Sequence, residues 1–154
     1  MYTGFAICLR KDNKMETINV HVRRSKLRRF FETEMRKTNA QIKEKCLNDG
    51  YGEYIFIRFS PHMIDRLTDR HIDEHKTMEL FNKIETRLPE IFDFLKMEDR
   101  PNRLEITDGN MWIGMTVDLI EDGKPYHGLC CRMIIENPKR LAGKMSAVVL
   151  KVDQ

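Results

Sequence analysis

Between Arg23 and Cys46 the apolar residues Leu27, Phe31, Met35, Ile42 and Cys46 recur at intervals of four and seven, the stripe of an amphipathic helix. Asn48-Asp49-Gly50 supplies turn chemistry and should end that helix. Tyr54–Phe59 alternates and is rich in β-formers, which predicts a strand. Ser60-Pro61 reads as an N-cap followed by proline in the first helical turn, opening a short helix to about Arg70. Asp73 is the next cap candidate, and Met78, Phe81, Ile84, Leu88, Ile91 and Leu95 form a second long stripe. Pro89 lacks the N–H that a helix interior needs, so it should kink or split this helix. After Pro101 the period changes to two. Leu104–Ile106, Met111–Ile120, Leu129–Ile135 and Ser146–Val152 read as strands. Between them lie Asp108-Gly109-Asn110 as a hairpin turn, the turn-rich loop Glu121–Gly128 and the basic loop Asn137–Lys144. Residues 1–16 match no later segment and are expected to form an extension or a short extra strand. The predicted class is α+β. A long N-terminal helix and two further helices pack on one face of a mainly antiparallel sheet of about four to five strands.

Composition fits this picture. A chain of 154 residues, 41% apolar and 33% charged, suits one domain over residues 1–154 with a single modest core. No apolar run approaches the roughly 18–20 residues that span a bilayer. Gly4–Leu9 is too short for a secretory signal, so a cytoplasmic protein with no membrane partner is expected. Cys8, Cys46, Cys130 and Cys131 show no C-x-x-C spacing and read as reduced packing residues. The net charge of +3 is unevenly spread. Residues 23–45 hold nine lysines and arginines against three glutamates, whereas residues 61–100 hold seven basic and ten acidic residues. A chain polarised in this way suits a polyanion on one face, and Arg23, Arg24, Lys26, Arg28 and Arg29 are the candidates to bind it.

Phosphate-binding loop, dinucleotide, G-x-S-x-G and H-E-x-x-H motifs are all missing from the sequence, which removes most cofactor and hydrolase classes. Five histidines remain. His62 falls in the first turn of a short predicted helix, with Arg66 one turn further on the same face. A histidine can take a proton from a ribose 2′-hydroxyl near neutrality, and an arginine fork matches phosphate oxygens. The pair therefore suits RNA cleavage by internal attack, a reaction that DNA cannot undergo. His71 and His75 also stand four apart, with Asp69, Asp73 and Glu79 nearby. His71 precedes the Asp73 cap, so the two should not share a helical turn, and no metal or cofactor is expected. Trp112 on a strand is more often a core aromatic than a base-stacking one. Lys139, Arg140 and Lys144 lie in a loop with two backbone breakers and are candidates to grip phosphates. Arg132 interrupts an apolar strand and so needs a partner or a ligand.

Six segments, in order, resemble the RegB family of bacteriophage endoribonucleases. They are Val22–Arg29 with Phe31-Glu32, Ser60–Arg66, Glu79–Ile84, Arg103–Trp112, Cys131-Arg132-Met133 and Arg140–Lys144. The resemblance spans about residues 19–152. It implies a fold similar to the RelE and YoeB toxins and cytoplasmic action in an infected bacterial host. It also implies metal-independent cutting of early phage mRNA within GGAG-like, Shine–Dalgarno motifs, leaving a 2′,3′-cyclic phosphate and a 5′-hydroxyl. Ribosomal protein S1 or the 30S ribosome of the host would be a partner, and the enzyme would act as a monomer. By position, His62 matches a catalytic histidine, Arg66 a required arginine and Glu32 an acidic site residue. The second family histidine is replaced by Asn82, which cannot shuttle a proton at neutral pH. His75, His127 or a cation would then have to act in its place, or the enzyme would be slow. Other expectations compatible with the residues are a non-catalytic RNA-binding translational repressor, a RelE-type ribosome-dependent mRNA interferase, and a protein whose basic helix contacts an acidic partner.

Overall fold

The computed structural model describes residues 2–118, 125–140 and 147–153, with side chains from Asn19 onward. The first element is the long helix α1 (Tyr2–Asn48), followed by strand β1 (Tyr54–Phe59) and helices α2 (Pro61–Asp69) and α3 (Glu74–Asn82). A 3-10 turn (Lys83–Arg87) leads into α4 (Leu88–Lys96). Strands β2 (Arg103–Thr107), β3 (Met111–Val117), β4 (Tyr126–Glu136) and β5 (Ala147–Lys151) complete the sheet. The α+β class is as predicted. The amino-terminal stretch, expected as an extension or a short extra strand, is helical and continuous with α1, so the strand alternative does not hold.

The apolar stripe of α1 is buried throughout, with Leu27, Phe31, Met35, Ile42 and Cys46 all between 0 and 3% exposed. The helix ends at the predicted turn, where Gly50 adopts φ 84°. Ser60 caps α2 by accepting the Met63 N–H, and Asp73 caps α3 by accepting those of His75 and Lys76. The second apolar stripe is split, as Pro89 required. The break begins earlier than the proline, at Lys83, and Pro89 itself lies in the first turn of α4.

Strand order across the sheet is β1-β4-β3-β2-β5. The hairpin β2–β3 and its neighbour β4 are antiparallel, but β1 runs parallel to β4 and β5 parallel to β2. The sheet is therefore mixed rather than mainly antiparallel. The reason lies in the connections: β1 reaches β2 through the three helices, and such a crossover returns the chain in the same direction. The inward residues of the sheet and the buried faces of all four helices form one core.

As an edge strand, β1 would leave unpaired amide groups on one side. Helix α1 covers them. Asn39 Nδ2 donates to the Ile57 carbonyl and Asn39 Oδ1 accepts the Ile57 N–H, both at 2.8 Å. The side chain thus imitates a neighbouring strand. Opposite this edge, β4 skips one residue in its pairing with β3. Gly114 faces Met133 and Met115 faces Cys131, so Arg132 is the bulged residue.

Candidate active site

The sequence around His62 forms a capped helix whose outward face is fixed by its inward one. Met63, Ile64 and Leu67 are buried, which turns His62 and Arg66 outward. Arg66 Nε lies 3.5 Å from His62 Nε2, at the long limit of a hydrogen bond. Arginine can only donate, so any hydrogen bond here is accepted by the imidazole Nε2. Asp65 on the same helix is held by Arg24 at 3.0 Å, which ties α2 to α1.

Helix α3 also lies along α1. His75 is exposed and sets its ring edge-on to Phe30, with centroids 5.0 Å apart. At the other end of α3, the buried Thr38 hydroxyl donates to Asn82 Oδ1 at 2.6 Å. That bond engages one lone pair of Asn82 Oδ1, and the –NH₂ remains a donor. Phe30 and Thr38 are eight residues apart on α1, about 12 Å. His75 therefore does not stand in the place of Asn82. His127 is also remote. It pairs with Glu53 at 2.9 Å where β4 begins, opposite Ile55. The Cys131 carbonyl, which accepts the Ser60 N–H at the mouth of α2, is four residues further along β4, roughly 13 Å.

Glu32 is exposed on α1 and faces a cleft of about 630 Å³ between α1 and β1. Arg132 follows Cys131 directly, so its backbone lies beside the amino end of α2. Its guanidinium crosses to β3, where Nε donates to Thr116 Oγ1 at 2.8 Å. This is the partner that an arginine in an apolar strand requires.

The other expected RNA-binding cations divide into two groups. Arg23 pairs with Glu74 at 3.7 Å and Arg24 with Asp65, so both hold helices together. Arg140 pairs with Glu105, a carboxylate 2% exposed that Arg103 also contacts, and lies 4.7 Å over the Trp112 ring. Lys26, Arg28, Arg29 and Lys139 are exposed and form no ion pair among the described residues. Lys144 lies outside the described residues, as do residues 121–124 of the loop expected at Glu121–Gly128, whose end Tyr126–Gly128 is instead the start of β4.

His71 adopts φ 51° in the turn before the Asp73 cap, so His71 and His75 do not share a helical turn. Burial pushes the Cys131 thiol up to about 12 and raises those of Cys46 and Cys130, so these thiols stay protonated at neutral pH. The partner Thr38 was not singled out from sequence. Its signal was present, because Thr38 is the polar residue at the helical position between Met35 and Ile42 in an otherwise apolar stripe.

Comparisons with known proteins bear on the chain as a whole. The family model described as "T4-page Endoribonuclease RegB" matches residues 16–151. The chain is 42% identical over 151 residues to the endoribonuclease RegB of Enterobacteria phage T4, covering 88% of this chain and 98% of that protein. The solution structure of the phage T4 endoribonuclease RegB superposes with a TM-score of 0.64 at 39% identity, over 87% of this chain and 96% of that one. With the match spanning nearly the whole chain in family model, sequence and fold, the protein belongs to the RegB family of endoribonucleases.

Proposed function

We propose that this endoribonuclease cuts single-stranded mRNA within GGAG-like motifs by internal attack, without a metal ion. The observation that carries the reading is the placement of His62 Nε2 3.5 Å from Arg66 Nε on one exposed helix face, a candidate base beside a candidate phosphate-binding cation. His62 Nε2 removes the 2′-hydroxyl proton. The freed 2′-oxygen bonds to the adjacent phosphorus, and the bond to the 5′-oxygen breaks. The products are a 2′,3′-cyclic phosphate and a 5′-hydroxyl. Arg66 neutralises the phosphate as charge builds, and Arg132, released from Thr116, is the second cation. The free –NH₂ of Asn82 donates to a phosphate oxygen. Asparagine gives up no proton, so the departing 5′-oxygen takes one from solvent. Lys26, Arg28, Arg29 and Lys139 bind flanking phosphates. The enzyme acts as a monomer in the infected host, and ribosomal protein S1 raises its rate.

The test uses end-labelled single-stranded RNA carrying one GGAG, a GGAC control, and EDTA throughout. One cut inside GGAG, ending in a cyclic phosphate, is expected. His62→Ala should slow it by about 10²–10⁴-fold. Full cleavage by His62→Ala would remove His62 from the chemistry. Cleavage only on ribosome-bound message would instead favour the RelE-type mode.

A further inference from the structure

The cleft between α1 and β1 combines three features that the proposed chemistry does not use. Its walls are fixed, because Asn39 bonds both the N–H and the carbonyl of Ile57 and so clamps α1 to the edge strand. Its rim is aromatic. Phe56 is 38% exposed on β1, and Tyr54 beside it carries Lys43 Nζ 4.8 Å above its ring. Its lining carries the cations Arg36, Lys43 and Arg58 and one carboxylate, Glu32. Arg58 is committed to Asp118, at 2.6 Å, which leaves Arg36 and Lys43. At about 630 Å³ the space is that of a small-ligand site.

An unpaired nucleotide matches each feature. A base has a face to stack on an exposed aromatic ring, and its phosphate is drawn to Arg36 and Lys43. The carboxylate decides which base. Guanine presents two adjacent donors on its Watson–Crick edge, N1–H and N2–H₂, which a carboxylate accepts together. Adenine presents an acceptor at N1, which a carboxylate repels. The outward edge of β1 is no rival docking place for a strand, because Asn39 already fills it at Ile57.

We infer that this cleft is a guanine subsite for the substrate RNA, with Phe56 as the stacking platform and Glu32 as the group that reads the base. The inference rests on the reading of this protein as a nuclease for GGAG-like RNA. It gives Glu32 a recognition role, separate from the proton transfer at His62.

The test measures kcat and KM for the whole protein and its Phe56→Ala, Arg36→Gln and Glu32→Gln variants. The substrates are a GGAG RNA and copies in which one guanine at a time is replaced by inosine, which lacks the 2-amino group, or by adenine. Phe56 and Arg36 are exposed, and a thermal melt checks that each variant is folded. Phe56→Ala should raise KM at least about fivefold with little change in kcat. Glu32→Gln should reduce the preference for guanine over inosine and adenine about tenfold or more at a single motif position. Equal loss of kcat on every substrate with Glu32→Gln would overturn the assignment and return Glu32 to the chemistry. Unchanged KM with Phe56→Ala would equally overturn it. If the wild-type protein cuts no GGAG RNA, the nuclease specificity itself has failed. RNA binding by His62→Ala protein, compared with and without Phe56→Ala, then reads the cleft alone, and equal affinities would reject it.

Discussion

Asn82 is the residue at which this chain departs most informatively from the chemistry it resembles. Its carboxamide oxygen accepts from Thr38, and neither end of the amide can supply a proton at neutral pH. If a proton to the leaving oxygen is what the site lacks, Asn82→His should restore it. We expect cleavage of GGAG RNA to rise by about a hundredfold, the lower range for general acid–base catalysis, measured as single-turnover rate. An unchanged rate would mean that the acid already comes from elsewhere. His62 and Arg66 were legible from sequence because their relation is local: a cap, a proline and a spacing of four put both on one face. The bond between Thr38 and Asn82 was not, because it joins residues 44 positions apart.

Two element-scale devices hold the site in place. The first is the cover that α1 provides for the edge of β1. Asn39→Ala removes both side-chain bonds to Ile57 and should destabilise the fold by about 1–3 kcal/mol in chemical denaturation. It should also promote concentration-dependent association, because the strand edge is then open. The second is the cap of α3. The backbone N–H of Lys76, and then that of His75, hold the Asp73 carboxyl below its ordinary value. A carboxyl lowered in the folded state adds stability that is complete above its unfolded pKa, about 3.9, and is lost as pH falls through the folded value. Asp73→Ala should therefore cost about 1 kcal/mol at pH 7. The cost should shrink as pH falls through the folded value, read from denaturation at pH 7 and in acid.

At the scale of the whole molecule, the charge polarity seen along the chain is partly spent inside the fold. Arg23 and Arg24 bind Glu74 and Asp65, and so fasten the acidic half to the basic helix. Lys26, Arg28 and Arg29 are left exposed on α1, where the proposed function has them bind RNA. Each of these that contacts a phosphate releases counterions. Neutralising Lys26, Arg28 and Arg29 together should weaken RNA binding and flatten its dependence on log salt by up to about 0.7 per lost contact. Neutralising Arg23 and Arg24 should instead lower thermal stability. A salt dependence identical to wild type in the triple variant would remove this face from the RNA path.

Sequence alone determined the elements and the helix face that His62 and Arg66 share. Helical stripes, caps and alternating strands are encoded within a few residues, so the α+β class, the turn at Gly50 and the face shared by His62 and Arg66 were all readable. Tertiary structure decided whatever depends on neighbours distant in the chain. It set two strands parallel through crossovers, gave Arg132 a bulge and a threonine, and separated His75 from Asn82 along α1. It also brought a carboxylate, two cations and two aromatics from α1 and β1 around one cleft. Such contacts arise from packing between elements, and no local period in the sequence records them.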